Sequence, residues 1–161
     1  MPNPVVFAGS FDPVTNGHIS IIRRAQKIFG AVVVLIMPNH NKQTLFSLQE
    51  RKELLEEVFK ANASVQVASA QGLLVDYMKN HQLTVLVRGI RNNSDWEYEN
   101  TNRTYNQLFY PQLETVFLPA DGETASVSSS AVKEAFACGA DICALVPPCV
   151  LSALKKKCSS R

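Results

Sequence analysis

Histidine, arginine, lysine and serine recur in this chain where short apolar runs stop, a combination suited to holding phosphate. The first such point is Gly9-Ser10-Phe11-Asp12-Pro13-Val14-Thr15-Asn16-Gly17-His18, between the apolar run Pro4-Val5-Val6-Phe7-Ala8 and a helical pattern. A strand that breaks at Gly9 and turns through Pro, Asn and Gly delivers His18 to a helix start. Free backbone N–H groups and the positive end of the helix dipole converge there, and His18 can donate a hydrogen bond to a phosphoryl oxygen. A second cluster is Arg88-Gly89-Ile90-Arg91, read as following a strand. Its arginines can hold separate phosphate groups while the glycine lets backbone approach the ligand. A third, Ser126-Val127-Ser128-Ser129-Ser130, opens a helix. Its hydroxyls either cap that helix or cradle a triphosphate together with the backbone amides. Ser130, nearest the helix, is expected to be mainly the cap, and Ser129 to touch the ligand. The fourth is the loop Pro38-Asn39-His40-Asn41-Lys42, whose lysine taken alone reads as a solvated charge. No G-x-x-x-x-G-K-[ST] loop occurs.

These residues need a scaffold that brings strand ends together. Residues 5–8, 31–37, 65–68, 84–87 and 115–118 are short runs rich in β-branched side chains and read as five strands. Between them Ile19, Ile22, Ala25 and Phe29 recur at helical spacing, as do Leu48, Leu55, Val58 and Phe59 behind a Ser47/Glu50 capping box. Leu73, Leu74, Tyr77 and Met78 mark a third helix and residues 96–108 a fourth. Val132, Ala135 and Phe136 mark another, and a last one follows Pro147-Pro148. Near-continuous apolar strands alternating with helices predict an α/β fold: a Rossmann-like, doubly wound, five-stranded parallel sheet with helices on both faces. Ligands of such sheets bind outside the carboxyl ends of the strands, near a switch in strand order.

A length of 161 residues suits one domain over residues 1–161, with 46% hydrophobic and 19% charged residues. A net charge of +2 is too small to make nucleic acid the expected partner. The longest apolar stretch, residues 31–37, is far short of a membrane span, and Met1-Pro2-Asn3 carries no basic targeting segment. A cytoplasmic protein is expected. Cys138, Cys143, Cys149 and Cys158 form no C-x-x-C pair, so free thiols rather than a zinc site are expected, with Cys158 beside Lys155-Lys156-Lys157 exposed.

Taken together, the four clusters resemble the bacterial phosphopantetheine adenylyltransferases, a family of the nucleotidyltransferase superfamily. The superfamily's (His/Thr)-x-Gly-His stands here as Thr15-Asn16-Gly17-His18, and the family's Gly-Thr-Phe-Asp-Pro carries Ser10 in place of threonine. Arg-Gly-x-Arg is Arg88-Gly89-Ile90-Arg91, followed by Glu97-Tyr98-Glu99. Ile-Ser-Ser-Ser is Val127-Ser128-Ser129-Ser130, with Lys133 on the next turn. Where the family often has an aromatic residue just before the serines, this chain has Thr124-Ala125-Ser126. The resemblance covers nearly the whole chain.

It implies adenylyl transfer from ATP to 4'-phosphopantetheine, giving dephospho-coenzyme A and pyrophosphate. The implied catalytic set is Ser10, His18, Lys42 and Arg91. Ser10, Phe11, His18, Gly89, Ile90, Arg91 and Glu99 would meet ATP, with Thr124, Ala125, Ser126, Val127, Ser128, Ser129 and Ser130. Ser10, Lys42, Leu74 and Arg88 would meet the acceptor, Leu74 lining the pantetheine channel. Mg²⁺ would arrive on the triphosphate, since it keeps several waters and relies on substrate phosphates. A homohexamer is also implied. A phosphate monoester with a second pKa of about 6 is mostly dianionic near neutral pH, so in-line attack needs no general base. A sister nucleotidyltransferase acting on nicotinamide mononucleotide or a polyol phosphate, and a nucleotide-binding module without turnover, stay open at this point.

Overall fold

Alternation along the strands divides the core between two faces of a sheet. In β1 (Val5–Gly9), Val5 and Phe7 belong to one buried cluster while Val6 and Ala8 belong to another. In β2 (Val32–Ile36), Val32, Val34 and Ile36 join the first, and Val33 and Leu35 the second. A strand buried on both faces must be apolar at every position, and β2 is. The computed structural model describes residues 3–38 and 43–159. Among these, β1, β2, β3 (Val65–Ser69), β4 (Val85–Ile90) and β5 (Glu114–Pro119) form one sheet in the order β3-β2-β1-β4-β5. Each pairing is parallel.

The helices cover both faces. Ile22 and Ala25 of α1 (Asn16–Phe29) and Leu55 and Phe59 of α2 (Leu48–Phe59) pack on the first cluster. Val132 of α5 (Ser129–Ala137) and Val150 and Leu154 of α6 (Pro148–Ser159) join them. Val75 and Met78 of α3 (Leu74–Asn80) cover the other face, with Tyr110 and Leu113 just beyond α4 (Asn93–Phe109). Each such Val, Leu, Ile, Phe or Met side chain taken fully out of water contributes about 1.5–3 kcal/mol. This is the expected doubly wound parallel architecture. Chain order runs outward from β1 through β2 to β3, then returns to β4 on the other side of β1 and on to β5. The switch in order therefore lies between β1 and β4.

The Ser47/Glu50 capping box is present: Ser47 accepts from Glu50 N–H and Glu50 accepts from Ser47 N–H. Three local expectations change. β4 runs on through Arg88, Gly89 and Ile90, because β5 continues beside it to the Ile90–Pro119 pair. Arg88 therefore lies within the strand, and only Arg91 follows it. The cap of α5 is Ser128, which accepts from Ala131 N–H at 3.1 Å, and not Ser130. A short 3₁₀ turn, Gly122–Thr124, precedes the serines, where the sequence pattern predicts no element. The cysteines among the described residues are all free; Cys138, Cys143 and Cys158 are exposed. No helix among the described residues is long and apolar enough to cross a membrane.

Candidate active site

A cleft of about 900 Å³ opens at the carboxyl ends of β1 and β4, where the strand order switches. Its wall includes Ser10, His18, Leu74, Arg88, Gly89, Arg91 and Glu99, together with Thr124, Val127, Ser128, Ser129 and Ser130. Residues spread over more than a hundred positions thus share one cavity. Lys42 lies outside the described residues.

His18 is placed by the start of its own helix. Thr15 is the N-cap of α1, and its hydroxyl accepts from the His18 N–H at 3.4 Å. His18 is the third residue of the helix, where a capping box ordinarily has Glu or Gln. Its Nδ1 reaches back to accept the Thr15 N–H at 3.1 Å. A backbone N–H can only donate, so Nδ1 carries no proton and Nε2 holds the N–H of the neutral ring. Burial pushes the ring's pKa down to about 4, with the Arg91 and Arg88 cations adding to the effect. His18 is therefore a neutral donor at neutral pH. Its neighbour Gly17 permits close packing: a Cβ there would stand 2.9 Å from the Val127 carbonyl oxygen. That approach joins the start of α1 to the serine segment.

Phe11 does something other than line the cleft. Its φ of 47° lies in the left-handed region, unusual for a bulky residue, and its ring is 1% exposed. The ring packs edge-on against His18 with centroids 5.1 Å apart. Strain at Phe11 is thus tied to support of the histidine. Ile90, Ala125 and Ser126 are likewise not among the residues lining the cleft.

Both arginines are already paired. Arg88 Nε donates to Glu99 Oε2 at 2.8 Å, its Nη2 donates to Glu99 Oε1, and its Nη1 to the Ala8 carbonyl. Glu99 is the buried residue of α4, at 8% exposure, so the expected ATP contact is here a partner of the expected acceptor arginine. Arg91 donates to Asp95 from Nε at 2.7 Å and from Nη2 at 3.0 Å. These bonds hold the Asp95 carboxyl below its ordinary range. Two bidentate pairs fix two guanidinium planes at the strand end.

Sequence reasoning missed Asp95, Asn102 and Asn106, which line the cleft with Glu99. Their spacing of four, three and four residues puts one polar stripe on α4, a signal legible as helical periodicity. The serines divide their work. Ser128 caps α5, while Ser129 Oγ donates to the Pro13 carbonyl at 2.8 Å and Ser130 is exposed on the cleft wall. The described residues contain no group of three His, Cys, Asp or Glu side chains placed to hold a metal.

The family model of cytidylyltransferase-like proteins matches residues 6–135. The chain is 48% identical over 152 residues to phosphopantetheine adenylyltransferase of Thermotoga neapolitana, covering 94% of each. It is 44% identical over 157 residues to the protein of that name from Actinobacillus pleuropneumoniae serotype 3, covering 98% of this chain and 99% of the relative. It is 45% identical over 152 residues to the one from Dictyoglomus thermophilum, covering 94% and 93%.

Proposed function

The chain belongs to the cytidylyltransferase-like family and, within it, to the phosphopantetheine adenylyltransferases, and from that premise and the cleft we infer how it works. It transfers the adenylyl group of ATP to 4'-phosphopantetheine, giving dephospho-coenzyme A and pyrophosphate in coenzyme A biosynthesis. The acceptor's phosphate dianion attacks the α-phosphorus of ATP in line, without a general base. The protein's task is to hold two polyanions in register and to stabilise charge as it builds on the α-phosphoryl oxygens. The observation that carries this reading is the His18 capping box, which puts the neutral ring's proton on Nε2 of a residue that lines the cleft.

The other roles follow from charge and position. Ser10 and His18 meet the reacting phosphates, Arg91 the phosphates of ATP, and Lys42 with Arg88 the acceptor phosphate. Leu74 supplies apolar wall for the pantetheine arm. Ser129, Ser130 and the backbone from Thr124 to Ser128 receive the nucleotide. Glu99 and Asp95 orient the arginines. The two carboxylates of the cleft are thus both committed to arginines, and this donor set suits a Mg²⁺ carried by phosphate oxygens and water. Bound in that way, the ion neutralises part of the triphosphate charge.

The same reading takes residues 1–161 as one domain, supported by two hydrophobic clusters on opposite faces of one sheet. It takes the protein as cytoplasmic, supported by cysteines that are all free among the described residues. It takes the assembly as a homohexamer, supported by Trp96, Tyr105, Leu108 and Phe109, which expose large apolar side chains along α4. Light scattering of purified protein checks the last point.

Pyrophosphate release tests the reaction itself. The assay supplies ATP with 4'-phosphopantetheine, ATP with nicotinamide mononucleotide, or CTP with glycerol phosphate. Release only with the first pair is the expected result. Release with another acceptor instead makes the chain a sister enzyme, and none with any makes it a binding module.

A further inference from the structure

An arginine outside the cleft is bonded directly to a residue that lines it. Arg51, the fourth residue of α2, is 5% exposed, and no residue of α2 is among those lining the cleft. Among the described residues its side chain donates to two main-chain carbonyls: Nε to that of Ser47 at 3.3 Å, and Nη1 to that of Ser10 at 2.7 Å. Ser47 is the cap of the same helix, whereas Ser10 and His18 both line the cleft. The rigid fork of a guanidinium fixes these two carbonyls relative to one another.

The bond to Ser10 falls next to strained backbone. The Ser10 carbonyl and the Phe11 N–H belong to one planar peptide group, so holding the carbonyl restrains rotation into Phe11. Phe11 is the residue whose φ of 47° lies in the left-handed region. A bulky residue stays there only where its surroundings over-determine it. The bond from Arg51 is one restraint. The seat of the ring is another, since a Cβ on Gly9 would stand 3.2 Å from the Phe11 Cζ. From that seat the ring centroid lies 5.8 Å from that of Phe7 and 5.1 Å from that of His18. Successive contacts thus run from α2 through the turn after β1 to the histidine of the cleft.

We propose that Arg51 is a positioning residue for His18: by holding the Ser10 carbonyl it keeps Phe11 in its strained conformation, and so keeps the Phe11 ring against the imidazole. The proposal rests on the transition-state role assigned to His18. The bond from the Thr15 N–H fixes Nδ1 of that ring, and Phe11 supplies the packing against which the ring rests. A helix that lines no part of the cleft thereby reaches the chemistry through one side chain.

Steady-state kinetics and crystal structures of Arg51→Met, His18→Ala and the double variant test it, each first shown by circular dichroism to be folded. Methionine keeps an apolar stem and removes both donors. The expected result for Arg51→Met is a kcat lowered about tenfold, with the KM for each substrate within about twofold of native, because a loosened ring loses hold of the transition state first. Its crystal structure should show the Ser10 carbonyl turned and Phe11 out of the left-handed region. The double variant should be no slower than His18→Ala alone, because both changes remove one function. Arg51→Lys keeps the charge without the fork and should stay at least about fivefold below native in kcat. Full recovery with lysine assigns the effect to charge and overturns the proposal. So does a native kcat in folded Arg51→Met, a structure in which Phe11 and His18 have not moved, or losses that multiply in the double variant. If His18→Ala turns over normally, it is the assignment of His18 that fails, and the Arg51→Met structure still decides whether the arginine holds Phe11. Where Arg51→Met does not fold, Arg51→Lys retains a donor and is read by the same criteria.

Discussion

At the scale of single residues, the fixed tautomer of His18 makes a specific claim about pH. With its pKa at about 4, the ring stays neutral over the range in which the acceptor phosphate takes on its second charge, near 6. Turnover should rise through that pH in the native enzyme. His18→Ala should lower kcat by roughly 10²–10³ yet keep the same midpoint, and a midpoint that vanishes would assign the limb to His18 instead. Stability depends on pH in the same sense. The unfolded ring ionises at 6.5 and the native ring near 4, so its contribution is complete above 6.5 and is lost as pH falls through that window. Melting temperature should drop between those values, less steeply for His18→Ala. The arginines carry a second expectation. Arg88→Ala strands the buried Glu99, costing about 3 kcal/mol as well as raising the KM for 4'-phosphopantetheine. Adding Glu99→Gln should restore part of the melting temperature and none of the acceptor affinity. The histidine, the arginines and the serines were legible in sequence because each cluster stands where an apolar run ends. The arginines' pairing with carboxylates was not: the resemblance implies Glu99 as an ATP contact and does not name Asp95, and both appear as arginine partners only when β4 and α4 are seen side by side.

At the scale of elements, the serine segment separates a helix cap from ligand contact. Ser128→Ala removes the bond to Ala131 N–H and should cost about 0.5–2 kcal/mol, read as a lower melting temperature without ligand. Ser130→Ala should leave the melting temperature unchanged and raise the KM for ATP. The reverse pattern would return the cap to Ser130. Sequence reasoning placed the cap two residues late because any of the three hydroxyls could serve, and only the entry angle of the chain selects one. The end of β4 was missed for a related reason. Glycine has low strand preference, and it is the β5 ladder that carries the strand through Arg88 to Ile90. Where the local signal was unopposed, as in the Ser47/Glu50 box, sequence and structure agree residue for residue.

At the scale of the whole molecule, the cleft exists because β1 and β4 are neighbours although nearly eighty residues separate the paired Val6 and Leu86. The strands and their parallel sense were readable from apolar runs alternating with helices. Their order was not, since no residue in β1 names its neighbour, and only the general rule for open sheets pointed to a switch. The first and last parts of the site meet at Gly17, where backbone of the serine segment occupies the space a side chain would need. Gly17→Ala should therefore push α1 and the serine segment apart. The expected outcome is a lower melting temperature together with raised KM values for both substrates. A variant that melts normally and binds both normally would mean the two parts can shift without loss.

The third position of α1 has a consequence for anyone who tries to make this protein sturdier. A stability-guided redesign, scoring helix ends alone, would replace His18 with glutamate, the usual partner of a threonine cap. The exchange should keep the cap, giving a melting temperature equal to or above that of the native chain. It should also abolish pyrophosphate release, because a carboxylate would face the phosphates in place of an N–H donor. The chain carries the poorer helix former where the better one would silence the enzyme, so optimum hardiness and optimum turnover require different side chains at one address.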